Sequence, residues 1–301
     1  KYHARDVAAF RIGRAKGLLL LASATPSVES YYKARSGQYA LVELTERYGH
    51  ARLPEVYIDD MRKNALGGNL SPFGALLTEK MSETLSRGEQ AILFLNRRGY
   101  NAFLTCRDCG EAVLCPRCSV SLTRHKEGRR DYLLCHYCGY RAAIPHECPS
   151  CHSAHLAFMG YGTQKVEEAF GEKFGGAYHA SLLRMDADTT TKKSAYDELL
   201  GAFRAHKADV LLGTQMVAKG HDFPDVTLVG VLNADAALYL DDFRAGERTF
   251  SMLTQVIGRA GRAEKRGVAV IQTMNPNHEV IRLAAAQDYR AFYARDIALR
   301  E

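Results

Sequence analysis

All eight cysteines of this 301-residue chain lie between positions 106 and 151, and each belongs to a Cys-x-x-Cys pair: Cys106/Cys109, Cys115/Cys118, Cys135/Cys138 and Cys148/Cys151. A two-residue spacer lets one tight turn aim both sulfurs at a single metal. Four such pairs supply two tetrahedral zinc sites with four cysteine ligands each. A disulfide framework would need an oxidising compartment, and residues 1–14 lack the apolar core of a secretory signal. A redox Cys-x-x-Cys usually occurs once, near a strand–helix junction, not four times in so short a stretch. Iron–sulfur ligation usually shows a tighter cysteine triplet. Structural zinc therefore ranks first, iron–sulfur second and disulfides third.

Counting does not decide which pairs share a metal. The segment from Cys118 to Cys135 reads as two short strands around a charged tip, His125–Arg130, which contains Gly128. A hairpin with a Cys pair at each end has zinc-ribbon geometry. It joins the second pair to the third, and the outer pairs close around them. The alternative joins first with second and third with fourth. His136, His146, His152 and His155 lie nearby, but the cysteines already fill two sites, so these histidines read as surrounding or surface groups.

Between Cys106 and Cys151 there are seven Lys/Arg and five Asp/Glu, a balance of +2 without metal. Each zinc held by four thiolates adds a net −2, so the loaded block carries about −2. That argues against a surface made chiefly for phosphate. The exception is the tip, where Lys126, Arg129 and Arg130 cluster. The tip is expected to touch DNA or a partner protein, and charge reversal at these three positions tests this.

Over the whole chain 40 Lys+Arg face 34 Asp+Glu, a net +6 that is compatible with nucleic acid without demanding it. No apolar run is long enough to span a membrane; Gly17–Ala22 is far too short. Outside the cysteines the pattern is α/β. Buried strands are expected at Leu18–Ala22, Ala91–Leu95, Leu156–Phe158, Val210–Gly213, Val226–Leu232 and Val268–Thr273, with helices at Thr163–Phe174 and Ser194–His206. Such alternation predicts a parallel sheet covered by helices. The cysteine block then interrupts an α/β domain. Both ends of the chain read as cut from a longer protein.

Four further segments carry chemistry. Ser23-Ala24-Thr25 follows the first apolar run. Ile92–Tyr100 is a strand ending in Arg97 and Arg98. Leu211–Pro224 contains Thr214, Lys219, Gly220 and Asp222. Gln255–Arg262 reads Gln-Val-Ile-Gly-Arg-Ala-Gly-Arg. In the last, Arg259 and Arg262 are three apart and so on one helical face. Gly258, Ala260 and Gly261 are small enough for an opposing lobe to approach. Two arginines aimed across a cleft stabilise charge on a transferring phosphoryl group, and Gln255 can position water or contact phosphate. Without the other segments, two solvated arginines on a surface helix would be the default reading. Thr214 and nearby amides, at a strand end, can hold a DNA phosphate.

In order and spacing these segments resemble motifs III, IV, V and VI of superfamily 2 helicases. With the four Cys pairs placed after motif IV, the chain is similar to the bacterial replication-restart helicases of the primosome. Phe158–Glu167, Arg184–Thr189 and Asp241–Glu247 also look like that family. The resemblance implies a RecA-like parallel-sheet helicase lobe 2 with an inserted zinc-ribbon-like domain that binds two zinc ions. It implies the nested pairing: Cys106, Cys109, Cys148 and Cys151 on one zinc, and Cys115, Cys118, Cys135 and Cys138 on the other.

By the same resemblance, Thr25, Gly220 and Asp222 couple hydrolysis to lobe movement. Arg97, Arg98, Thr214 and Lys219 grip DNA, although surface charge is an equal reading for each of the first two arginines. Gln255, Arg259 and Arg262 serve catalysis. The implied division is 1–44, the end of lobe 1; 45–104 and 154–275, lobe 2; 105–153, the zinc insertion; and 276–301, the helical start of a C-terminal region.

The implied protein is an ATP-dependent 3′-to-5′ DNA helicase of the bacterial cytoplasm, nucleoid-associated, using ATP and Mg²⁺ besides two Zn²⁺. Its implied partners are forked and single-stranded DNA, primosome proteins and single-stranded-DNA-binding protein. No Gly-x-x-x-x-Gly-Lys-[Ser/Thr] loop and no Asp-Glu-x-His motif occurs in these residues. The chain alone is therefore expected not to hydrolyse ATP. Two alternatives stand: a zinc-ribbon nucleic-acid module on a non-catalytic scaffold, and an RNA helicase.

Overall fold

Apolar strand runs alternate with amphipathic helices through most of the chain, and the result is one parallel sheet carrying a second, antiparallel sheet. The structure, a computed structural model, describes residues 3–44, 53–66, 71–96, 103–118, 120–127, 130–159, 162–186, 193–214, 223–240, 242–261 and 266–300. Contacts divide it into two units, Lys1–Glu43 and Leu44–Glu301.

The first unit holds helices α1 (Ala4–Arg14) and α2 (Val28–Arg35). Ser27 caps α2 by accepting from the Ser30 amide, and the Arg5 guanidinium reaches the hydroxyls of Ser27 and Ser30. The strand expected at Leu18–Ala22 is not formed: Leu18 is 91% and Leu20 83% exposed. A strand needs a neighbour to take its amides and carbonyls, and the described residues of this unit supply none.

In the second unit the elements run β1 (Glu55–Asp60), α3 (Met61–Leu66), α4 (Ala75–Ser86), β2 (Gln90–Leu95), β3 (Phe103–Cys106), β4 (Thr123–Glu127), β5 (Arg130–Leu134), β6 (Arg141–Ala142), β7 (Leu156–Met159), α5 (Thr163–Phe170), α6 (Gly176–Tyr178), β8 (Leu182–Met185), α7 (Lys193–Arg204), β9 (Val210–Gly213), β10 (Val226–Leu232), α8 (Ala245–Ile257), β11 (Val268–Thr273), α9 (Glu279–Ala285) and α10 (Tyr289–Ala298). Six strands form a wholly parallel sheet in the order β1-β11-β10-β2-β9-β8.

Its central strands are apolar at nearly every position because both faces are covered. On one face Leu77 and Met81 of α4, four residues apart, join Val166 and Phe170 of α5 and Leu93, Leu212 and Leu228 of the sheet. Gly230 lets α4 settle: a β-carbon there would lie 2.8 Å from Leu77 Cδ1 and from Leu93 Cδ2. The alternate residues Ile92, Phe94, Val229, Val231 and Ile271 are equally buried. Phe250 of α8 stacks on Phe292 of α10 at 4.3 Å and 17°, a pairing worth about 0.5–1.5 kcal/mol beyond its burial.

The strand at Leu156–Met159 does not join the parallel sheet. It pairs antiparallel with β3 in a five-stranded sheet of order β6-β5-β4-β3-β7. With only four residues and a hydrophobic pattern common to both sheet types, its membership is set by the register with β3. In the hairpin, His125, Lys126 and Glu127 belong to β4 and not to the tip, since pairing runs out to Glu127↔Arg130. Two strands of the parallel sheet, β1 and β8, were not expected, nor were β3 and β6 of the antiparallel one. The mix of charged and apolar residues in β1 and β8 suits sheet edges, which is where they lie.

Candidate metal centre and strand-end edge

The four Cys-x-x-Cys loops share one design. The amide of each first cysteine donates to a carbonyl five residues on: Cys106 to Glu111 (2.9 Å), Cys115 to Val120 (2.7 Å), Cys135 to Tyr140 (2.9 Å) and Cys148 to Ser153 (2.8 Å). In three loops the same cysteine's carbonyl accepts from an amide four residues on, that of Gly110, Gly139 or His152. These residues take left-handed φ values of +82°, +72° and +60°, which glycine adopts without penalty and histidine does not. The corresponding residue 119 lies outside the described residues.

The sulfurs gather into two groups: Cys106, Cys109, Cys148 and Cys151, and Cys115, Cys118, Cys135 and Cys138. Within each group all four lie within 4.8 Å of one another. Sulfur–sulfur separations are 3.6 Å for Cys106–Cys151, 3.7 Å for Cys109–Cys148 and 3.7 Å for Cys115–Cys138. A tetrahedron of thiolates around zinc, with bonds of about 2.3 Å, has edges of about 3.8 Å. No disulfide joins any of them. The donor set and its spacing therefore fit two zinc ions.

Burial opposes ionisation of Cys106, but the Cys109 and Asp108 amides and neighbouring thiols outweigh it and bring its pKa down to about 7. Burial, helped by hydrogen bonds to neighbouring cysteines, pushes Cys109 and Cys118 up to about 12. The four histidines stay out of both groups. His136 Nε2 lies 3.0 Å from His125 Nε2, and His155 Nδ1 lies 3.1 Å from Asp108 Oδ2.

The zinc block sits at the C-terminal ends of the parallel strands, the edge where ligand sites of α/β sheets gather. Phe103 packs on Tyr239 with ring centroids 5.4 Å apart, Asn275 Nδ2 donates to Glu111 Oε1 at 3.2 Å, and the Ser121 hydroxyl donates to the Tyr239 carbonyl. Asp235 secures this seat. It is fully buried and accepts from Thr273 Oγ1 at 2.7 Å and from the Met274 amide at 2.8 Å. Burial holds its carboxyl above the usual range despite those bonds. Sequence reading overlooked Asp235; an acid directly after an apolar strand was its only signal.

Among the residues singled out from sequence, Thr214 is buried just past β9, on this strand-end edge. The next strand end carries Asp186, which accepts from Thr163 Oγ1 at 2.7 Å and lies 3.2 Å from Arg184 Nε. Thr25 lies in the first unit, its amide on Ser23 Oγ. Arg97, Arg98, Lys219, Gly220, Asp222 and Arg262 fall outside the described residues.

Gln255 is exposed near the end of α8 and donates to Ser251 Oγ. Arg259 is not on that helix. Gly258 caps it, and the chain turns through Ala260 to Gly261 at φ +64°, so Arg259 lies past the end of the helix. The small residues serve packing inside the lobe. The Gly261 amide donates to the Val226 carbonyl at 3.1 Å, and a β-carbon on Gly267 would lie 2.2 Å from Gly261 N. Val226 begins β10, so Arg259 lies at the sheet edge opposite Thr214 and the zinc block.

Residues 158–264 match the family model described as helicase conserved C-terminal domain, and residues 115–142 match that of the PriA DNA helicase Cys-rich region. Over its full length the chain is 50% identical to the replication restart protein PriA of Bacillus subtilis, 44% to that of Synechocystis and 32% to that of Borreliella burgdorferi. It covers 37%, 36% and 44% of those proteins, so it spans less than half the length of these relatives. Matched over its whole length at up to 50% identity, and carrying the PriA Cys-rich region beside a helicase C-terminal domain, the chain belongs to the PriA family of replication restart proteins.

Proposed function

We propose that this chain is the zinc-bearing second motor lobe, with a short part of the first, of an ATP-dependent 3′-to-5′ DNA helicase. Its work is to act at stalled or repaired replication forks in the bacterial cytoplasm, unwind lagging-strand duplex and promote primosome assembly. The observation that carries this reading is the full-length 50% identity to a replication restart protein.

Site geometry supports a division of labour across the sheet. Thr214, with Arg97, Arg98 and Lys219, holds the DNA backbone. Gln255, Arg259 and Arg262 face ATP and Mg²⁺ bound mainly by the first lobe, with Thr25, Gly220 and Asp222 relaying between them. Two zinc ions give the block a rigid frame; their role is structural because each has four thiolate ligands and no open position. The 301 residues contain no phosphate loop, so the chain alone binds no nucleotide productively.

An unwinding assay on the full-length protein, comparing forked DNA with duplex RNA, tests the reading. ATP-dependent unwinding of the DNA fork is expected. Preference for RNA would replace this reading with that of an RNA helicase. DNA binding without ATP turnover would leave a binding module.

A further inference from the structure

The two zinc sites have the same ligands and the same pattern of burial: in each, two cysteines are buried, one is half-buried and one is exposed. They differ in what holds the two loops together when the metal is ignored. In the outer site, the loop of Cys106 and Cys109 is fastened to the loop of Cys148 and Cys151 by groups other than sulfur. Ser153 Oγ and His155 Nδ1 both reach the Asp108 carboxylate, the latter at 3.1 Å. The Arg107 amide donates to the His155 carbonyl at 2.9 Å. β3 and β7 pair through four residues, ending at Cys106↔Leu156. The same loop is also pressed on the lobe, through Gly110 against Met274 and Glu111 against Asn275.

The inner site is held differently. Between its loops Arg117 lies over the Tyr140 ring at 5.4 Å, and Val120 and Tyr140 pack with Cys115 and Cys135 in one apolar cluster. The outer bracket is exposed as well, but its two donors on one carboxylate fix the loop separation directionally, which apolar packing and a cation–π contact do not. Its hairpin links the loops of the inner site on one side through five residue pairs, starting at Thr123↔Leu134, and it reaches the lobe through the Ser121 hydroxyl on the Tyr239 carbonyl.

We propose that the Asp108–Ser153–His155 bracket preorganises the outer site, so that the two zinc ions are held unequally. The inner ion, on Cys115, Cys118, Cys135 and Cys138, leaves first. The outer ion, on Cys106, Cys109, Cys148 and Cys151, leaves last. A preorganised site loses less order-making free energy on binding its ligand, and release requires its loops to separate against contacts that do not depend on the metal. Asp108, Ser153 and His155 are positioning residues here; none is a zinc ligand.

The test uses zinc-loaded full-length protein in a limiting chelator, with free thiols alkylated at intervals and located by mass spectrometry. The expected result is alkylation of the inner four cysteines at a stage when the outer four remain protected, with release of one zinc equivalent. Equal labelling of both sets, or the reverse order, overturns the proposal. A second arm follows zinc release with a metal-sensitive dye in Ser153→Ala and Arg117→Ala. Ser153→Ala should speed the slow phase several-fold and leave the fast phase alone, and Arg117→Ala should affect only the fast phase. Acceleration of the fast phase by Ser153→Ala would contradict it. Circular dichroism of each loaded variant separates a local effect from unfolding, and the wild-type labelling order decides the question even if a variant does not fold.

Discussion

Gly110 stands so close to Met274 that a β-carbon on it would fall 2.1 Å from the Met274 carbonyl oxygen. It joins the first cysteine loop to the end of β11 by contact between main chains. Gly139, at the equivalent point of the third loop, has the same left-handed backbone but nothing within 4 Å of its missing β-carbon.

The two glycines therefore make a matched pair. Gly139→Ala should cost only the conformational penalty, about 1–2 kcal/mol. Gly110→Ala meets the same penalty and must also push Met274 away, so a total of about 3 kcal/mol or more is expected. Thermal melting of the two variants checks this. Equal losses would mean that the block is not seated on the β11 end.

In the intact protein, Arg262→Ala or Arg259→Ala should lower ATP turnover by about 10³-fold, the scale of an arginine finger, with ATP binding largely kept. Turnover and nucleotide binding measured on the same preparation separate the two. A parallel loss of binding would count against the finger role.

Asp235 gives a pH signature. Burial raises its folded-state proton affinity. The stabilisation from this group is thus fully present below the unfolded value of about 3.9 and is lost as pH rises through the higher folded value. Asp235→Asn carries no charge at any pH. The stability difference, wild type minus variant, should therefore grow as pH falls from 7 towards 4. Denaturant unfolding at several pH values measures it, and a constant difference would show that Asp235 ionises normally.

Cys148→Ser should release zinc and loosen the Cys-rich block. ATP turnover by the intact protein is expected to survive better than fork unwinding, because Arg259 lies at the opposite sheet edge. Zinc content, ATPase and unwinding measured together check this; equal loss of all three would reduce the block to a folding aid.

The cysteines and the central strands were legible because their signals are local. A Cys-x-x-Cys spacing describes one turn, and β2, β9, β10 and β11 are apolar runs whose bounds match their burial. The hairpin between Cys118 and Cys135 was legible for the same reason. What escaped depends on distant partners. Leu156–Met159 joins the antiparallel sheet because Phe103–Cys106 is beside it, and Leu18–Ala22 stays unpaired for want of a neighbour. Arg259 looked helical by spacing, yet the helix stops at Ile257 with Gly258 as its cap. The seat of the block on Asp235, Tyr239, Met274 and Asn275 brings Tyr239, Met274 and Asn275 against residues more than a hundred positions away, and no periodicity announces it.

Strand β10 touches both sides of this arrangement. Its first residue, Val226, accepts from the turn that carries Arg259. Just beyond its last residue come Asp235, which grips Met274, and Tyr239, which meets Phe103. Seven extended residues span about 23 Å, and every one is buried; Leu228 to Val231 are held between β2 and β11, while the register against β2 shifts at Thr227. One short strand therefore joins the Arg259 turn to the seat of the zinc block, and the bulge at Thr227 is the irregular step along it.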